Sequence, residues 1–382
     1  MRVCVVSGSR ADYGLLKPLI KKLINDDFFE FHFIVTAMHL SQKYGNTIFE
    51  IENDNIPITK KINCLFDSDD SVGITKSISL ALSQFAEALH EIKPEMMIIL
   101  GDRTEMLAAS IAASISNIPI SHIHGGEVTS GAYDEFIRHS ITKMSYYHFT
   151  TNIEHKRRVI QLGENPERVF DCGAISIESI MNIDYLSKRK LESSINFKFE
   201  KITALITFHP VTLENDSSKK HFKEILSTLD NFKNIKLIFT AANSDKDGKV
   251  INSLILDYVS RNKEKSILVK SLGQLKYYST LKYIDFVMGN SSSGIIEVPY
   301  FNIPTINIGD RQKGRLSTES VIHVEPKKKD MIDAINLATS SSFRKKICKQ
   351  KLIYGQGNTS EKIIKVLKSR KEIKLKKIFY DL

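Results

Sequence analysis

Met96-Met97-Ile98-Ile99-Leu100 is an unbroken apolar run, and Gly101-Asp102-Arg103 follows it directly. A strand without a polar residue on either side is one covered on both faces, as in a parallel sheet lying between two layers of helices. The abrupt charged turn at its end marks the edge where such sheets bind ligands. Amphipathic stretches at 75–92 and 104–116 flank it and read as helices. Further out, strands are expected at 2–7, 31–36, 119–123 and 147–150, with helices at 13–25 and 134–144. The alternation then restarts. Strands are expected at 203–208, 235–240, 266–269, 284–288 and 304–308, and helices at 218–231, 247–261, 274–281, 294–300 and 329–338. Two successive β/α series predict an α/β chain of two Rossmann-like, doubly wound domains. A polar stretch near 172–200 marks the boundary. The expected division is 1–172, 173–357, and a terminal segment 358–382 whose helix could pack on either domain, including back on the first.

The bulk composition agrees with this. A chain of 382 residues is long for one core, and 42% hydrophobic with 26% charged residues suits a globular protein in water. No secretory pattern opens the chain, and no apolar run is long enough to span a bilayer, so a cytoplasmic protein with no membrane partner is expected. Cys4, Cys64, Cys172 and Cys348 are scattered without metal-ligand spacing and read as reduced core cysteines. The net charge of +10 is concentrated in part at the end, where residues 362–382 hold eight Lys/Arg against Glu372 and Asp381. No nucleic-acid signature accompanies it. A solvated lysine-rich helix and a polyanionic small substrate account for the excess.

The chemistry-bearing residues fall at strand ends. Gly8-Ser9-Arg10-Ala11-Asp12-Tyr13-Gly14 opens the first helix, where free backbone N–H groups attract anions and Arg10 suits a phosphate. It is neither the dinucleotide fingerprint nor a Walker A loop. His39 ends the second strand and carries little weight alone. Asp102 reads as a catalytic carboxylate or as the cap of helix 104–116. His122-Ile123-His124-Gly125-Gly126-Glu127 crowds imidazoles and a carboxylate onto the next strand end, as proton transfer requires. His122 and His124 share a strand face, but no close third ligand supports a metal, and His122 suits a structural role better than His124. Asp134 and Arg138, like Glu135 and His139, stand four apart on one helix face. Downstream, His209 ends the first strand of the second series, and Asn243 with Ser244 and Asp245 ends the next. Gly289-Asn290-Ser291-Ser292-Ser293-Gly294 reads as a phosphate cradle at a helix start, with Glu297 placed to take ribose hydroxyls. Gly309-Asp310-Arg311-Gln312-Lys313-Gly314-Arg315 adds Arg311 and Arg315 as anion ligands.

These motifs, in this order, resemble the hydrolysing UDP-N-acetylglucosamine 2-epimerases, and most of all the bacterial enzyme of sialic acid biosynthesis. The resemblance covers nearly the whole chain. It implies a GT-B-like pair of Rossmann-type domains with an interdomain cleft, no cofactor, a UDP-sugar as partner, and a homodimer or homotetramer. It also implies the reaction. UDP leaves UDP-GlcNAc by anti elimination across C1–C2, and water adds to 2-acetamidoglucal to give N-acetylmannosamine. By position, Arg10 and His209 resemble diphosphate contacts, Ser291 and Ser292 diphosphate binders, and Glu297 the ribose ligand. Ser293 is grouped with these serines. Asp102, Asp134 and Arg138 resemble catalytic-centre residues, with Glu127 beside them. Many relatives carry Glu where this chain has His124, so the resemblance leaves the identity of the acid/base pair open.

Chemistry constrains the mechanism independently. The C2 proton is not α to a carbonyl, so leaving-group departure must come first and must be stabilised. A base near C2 and an acid on the other face are then needed, and His124 and Asp102 are candidates. Three other readings compete: an enzyme acting on UDP-N,N′-diacetylbacillosamine, a GT-B glycosyltransferase, and a non-catalytic nucleotide-sugar sensor.

Overall fold

In the computed structural model, which describes residues 1–66, 68, 70–129, 133–200, 202–210, 217–242, 248–369, 373 and 375–382, the chain forms two compact units. The first comprises Met1–Glu127, Tyr133–Ser179 and Tyr354–Leu382, and the second Val128–Ala132 and Ile180–Ile353.

The first unit holds β1 (Arg2–Ser7), β2 (Glu30–Thr36), β3 (Lys60–Ile62), β4 (Met96–Leu100), β5 (Ile120–Ile123), β6 (Tyr147–Thr150) and β7 (Val169–Asp171). They form one parallel sheet in the order β3-β2-β1-β4-β5-β6-β7, with β4 at its centre. Alternation explains the apolar run. Met96, Ile98 and Leu100 join Val3 and Val5 in one core, and Met97 and Ile99 join Cys4 and Val6 in the other. Leu16, Leu19, Ile20 and Leu23 of helix Arg10–Ile24 cover the first face, together with Ile363 and Leu367 of helix Thr359–Lys368. Phe85 and Leu89 of helix Ser71–Ile92 and Ala109 of helix Thr104–Ile115 cover the second. Each of these leucine, isoleucine and phenylalanine side chains contributes about 1.5–3 kcal/mol when fully buried.

The first unit runs past the expected boundary at residue 172. Ile175 belongs to its core, and the Ala174 N–H donates to the Tyr354 carbonyl at 2.7 Å, which recruits the returning chain before residue 358.

The second unit holds β8 (Thr203–Thr207), β9 (Lys236–Thr240), β10 (Ser266–Val269), β11 (Phe286–Gly289), β12 (Thr305–Ile308) and β13 (Val321–Val324) in the parallel order β10-β9-β8-β11-β12-β13. Each sheet therefore reverses strand order once, between β1 and β4 and between β8 and β11, and the crevice at such a reversal is where doubly wound sheets take ligands. Two expectations need correction. The helix foreseen at 294–300 is a four-residue turn, Ser293–Ile296, followed by a 3₁₀ turn Val298–Phe301 that contains Pro299. Cys348 is exposed, whereas Cys4, Cys64 and Cys172 are buried. Among the described residues, no helix is long and apolar enough to cross a membrane.

Candidate active site

In the first unit the polar groups gather at the carboxyl ends of β1, β4 and β5 and on the helix that follows β5. Ser9 caps helix Arg10–Ile24 by accepting from the Asp12 N–H at 3.3 Å. Arg10, the first helical residue, is partly exposed, with Nη1 3.5 Å from Glu50 Oε1. Arg103 Nε donates to Glu105 Oε1 at 2.6 Å and lies 4.0 Å from Asp12 Oδ2. The Glu105 carboxyl presses against the Cα of Gly8, so β1 and β4 meet through it. Burial pushes the Asp12 carboxyl up to about 6, with Glu105 adding to the rise and Arg103 opposing it. Glu105, and after it Asp12 and Asp134, hold the Arg103 guanidinium charged.

Asp102 pairs through Oδ2 with Arg138 Nη2. Arg138 is almost fully buried, and its Nη1 donates to Glu135 Oε2 at 3.1 Å and to the Glu127 carbonyl at 3.0 Å. Glu135 also holds His139 Nε2 at 3.2 Å. The i,i+4 pairing expected of Glu135 and His139 is present, while Arg138 reaches across to the β4 end. Asp134 opens the same helix, Asp134–Met144.

His124 sits in the left-handed region at φ +69, which aims its ring away from the strand. Nδ1 lies 3.3 Å from Glu127 Oε1, and Nε2 accepts from the Ile175 N–H at 3.4 Å. The imidazole thereby carries its proton on Nδ1, toward a carboxylate. His122 is a different case. Its Nε2 donates to the Gly101 carbonyl at 2.7 Å and Nδ1 faces the Thr142 hydroxyl at 3.2 Å.

Burial pushes His122 down to about 3 and His39 down to about 4. Both stay neutral in the folded state, whereas an unfolded histidine protonates near pH 6.5. Stability from these neutral rings is complete above pH 6.5 and is lost as pH falls toward 3–4. The melting temperature is expected to decline steadily between pH 6.5 and 4, and His122→Gln should flatten part of that slope. An unchanged slope in the variant would remove His122 from the account.

In the second unit the ends of β8 and β11 are locked together. The Asn290 side chain accepts from the His209 N–H and donates to the His209 carbonyl, each at 2.7 Å. Arg311 Nη1 and Gln312 Nε2 both reach the Asn290 carbonyl, at 3.1 and 3.0 Å. The His209 backbone is thus fixed on both sides, while its buried Nδ1 has no hydrogen-bond partner among the described residues. Burial and the Arg311 charge push it down to about 4. A buried imidazole held neutral, with one nitrogen unpartnered among the described residues, is placed to meet a hydrogen-bonding ligand.

The loop that follows divides its serines. Ser291 and Ser292 are half-buried at the strand end. The Ser293 hydroxyl instead lies 2.5 Å from both Tyr277 Oη and Glu297 Oε2, and Tyr278 donates to Glu297 Oε1 at 3.1 Å. Burial and the Glu297 charge raise the Tyr278 hydroxyl well above its usual range, so it remains a donor. Glu297 is held rigidly with a defined orientation, as a carboxylate that binds a diol must be. Arg315 donates from Nε to the Val128 carbonyl at 2.8 Å, with Nη2 3.3 Å from Thr129 Oγ1. Its guanidinium is thus engaged by protein groups. Asn243 lies outside the described residues.

Sequence reading passed over Asp12, Glu105, Tyr277 and Tyr278. Asp12 and Glu105 look like ordinary acids of a helix first turn. No spacing signal links the tyrosines to a carboxylate nineteen or twenty positions on. Among the described residues, no cluster of three or more histidine, cysteine or carboxylate side chains is arranged to hold a metal ion.

Residues 21–368 match the family described as UDP-N-acetylglucosamine 2-epimerase. The chain belongs to the hydrolysing UDP-N-acetylglucosamine 2-epimerase family. Within it, the chain is 43% identical to the GDP/UDP-N,N′-diacetylbacillosamine 2-epimerase (hydrolyzing) of Campylobacter jejuni, over 90% of this chain and 88% of that one. It is 36% identical to the polysialic acid biosynthesis protein P7 of Escherichia coli, over 100% and 97% of the two chains. It is 35% identical to the UDP-N,N′-diacetylbacillosamine 2-epimerase (hydrolyzing) of Legionella pneumophila, over 96% of each. The fold is that of the UDP-GlcNAc 2-epimerase of Neisseria meningitidis solved with UDP-GlcNAc, with a TM-score of 0.85 at 19% identity, covering 97% of this chain and 100% of that one. The chain is thus a UDP-sugar 2-epimerase of two Rossmann-like units.

Proposed function

We propose that this epimerase acts on a UDP-linked 2-acetamido sugar, releasing UDP and the C2-epimerised free sugar. The observation that carries the reading is the convergence of Asp102, Arg138, His124 and Glu127 on one sheet edge, with two of the ionisable pairs preset. Elimination breaks the C1–O bond and removes the C2 proton. Hydration then returns a proton to C2 from the other side and a hydroxyl to C1, so the atoms balance with UDP as the only other product. Arg10 in the first unit and His209, Ser291, Ser292 and Arg311 in the second serve the diphosphate, and Glu297 the ribose. The neutral His209 ring suits a hydrogen bond to the departing phosphate. Asp102 and the His124–Glu127 pair serve the two proton transfers, with Asp134 and Arg138 orienting them.

The relatives at 43 and 35% identity favour UDP-N,N′-diacetylbacillosamine as the sugar. UDP-GlcNAc, with N-acetylmannosamine and sialic acid synthesis downstream, is the second reading. It is favoured by the 31% identity to the UDP-N-acetylglucosamine 2-epimerase of Neisseria meningitidis. The deciding experiment is proton NMR in D₂O with each nucleotide sugar. Free UDP with a 2-epimer deuterated at C2 is expected from one of them. UDP release without epimerisation from both would overturn the proposal. In the same assay His209→Gln is expected to lower UDP release about a hundredfold, and unaltered turnover would take His209 out of leaving-group departure.

A further inference from the structure

The last residues of the chain return to the first unit and grip the far end of the helix that carries Asp134, Glu135 and Arg138. Lys377 Nζ donates to the Lys143 carbonyl at 2.9 Å and to the Ser145 carbonyl at 2.6 Å. These are carbonyls at and just past the last turn of helix Asp134–Met144, among those left unpaired at a helix end, where the dipole favours a cation. The same ammonium lies 2.7 Å from Glu164 Oε2. Glu164 is fully buried and also meets Lys143 Nζ at 2.7 Å and His148 Nε2 at 3.0 Å. Against the upward push of burial, His148 and the two lysines hold its carboxyl down at about 2.

Three further contacts fasten the segment. The Tyr380 N–H donates to the Gly163 carbonyl at 3.0 Å. Phe379 packs against Gly163, where a Cβ would fall 2.3 Å from a ring atom, and Lys143 Nζ sits 5.0 Å from the ring centre. The grip matters because it fixes the helix at the end opposite the one that carries Asp134, Glu135 and Arg138. Tyr133 at its start offers no side-chain cap. Ile137 and Ile141 seat one face in the core, but apolar packing restrains sliding along the axis less well than hydrogen bonds do. Arg138 lies in the second turn and must meet Asp102 on β4.

We propose that Lys377 is a positioning residue, clamping the C-terminal end of helix Asp134–Met144 so that Arg138 and its neighbours are presented correctly to the β4 and β5 ends. It touches no substrate and works through the helix. Misplacement of reacting groups by a fraction of an ångström lowers turnover without weakening binding. The kinetic consequence rests on the epimerase reading; the mechanical one does not.

The test compares Lys377→Met, Lys377→Arg and a chain ending at Lys376 with the full chain. Turnover is expressed per folded molecule, KM is measured for the nucleotide sugar, and amide hydrogen exchange is followed through both units. Lys377→Met and the shortened chain are expected to lose about tenfold in kcat with KM within about twofold of the parent. Exchange should quicken in 134–144 but not in helix Thr104–Ile115. Lys377→Arg should restore most of both. Parent-like kcat with unchanged exchange in 134–144 would overturn the proposal. So would exchange that quickens throughout the first unit, which would make Lys377 a general stabiliser. If the full chain epimerises neither sugar, the functional reading fails, and the exchange pattern still decides the clamp.

Discussion

Asp102→Asn is expected to lower turnover by about 10²–10⁴-fold, the range for loss of a positioned acid or base. Asparagine fills the same volume and can still accept from Arg138, so the helix 134–144 should stay in place. The fold is expected to survive, because Arg138 keeps Glu135 and the Glu127 carbonyl as partners. What disappears is a titratable group at the end of the central strand. Single-turnover assays in D₂O separate the two steps in which it could act. Loss of both UDP release and C2 deuteration would assign Asp102 to elimination. UDP release with accumulation of the unsaturated sugar would assign it to hydration. Turnover equal to the parent's would remove Asp102 from the chemistry altogether.

Gly289→Ala is expected to destabilise the second unit by about 4 kcal/mol, in the exceptional tail for single substitutions. Gly289 has φ +145, and a Cβ there would fall 1.8 Å from the Thr207 carbonyl oxygen. Thr207 is its register partner on β8, and its carbonyl also accepts from the Asn290 N–H at 3.2 Å. The obstacle is backbone in a central strand, which cannot swing aside as a side chain could. Relief requires parting β8 from β11, and with them His209 from Asn290. A fall in melting temperature on the order of 10 °C and loss of UDP binding are expected together. Ordinary melting would show that the strand pair tolerates the methyl group.

How much of this was legible in the sequence depended on what each residue faces. The strands at 2–7 and 96–100 could be read because both of their faces are buried. Lys60-Lys61-Ile62 could not, since an edge strand of three residues with two lysines has no apolar period to show. Asp102 and Arg138 were each visible, one by its place after an apolar run and the other by helical spacing. Their mutual pairing was not, because only the adjacency of β4 and β5 brings them together. His122 was separable from His124 in prospect, and their hydrogen bonds differ accordingly. Lys377 was invisible as an individual. It stood in a lysine-rich tail where each cation looks like any other, and its value comes from a buried Glu164 far back in the chain.

The division of the chain also bears on how the protein is made. The second unit lies wholly before residue 354, but the first is closed by residues 354–382. During synthesis the segment that comes first is therefore the one completed last. Until the ribosome has delivered Ile363 and Leu367, a nascent first unit has one face of its seven-stranded sheet only partly covered, with helix Arg10–Ile24 in place and helix Thr359–Lys368 missing. Delivery of residues 354–382, rather than emergence of the N-terminal half, sets the moment when that face is sealed.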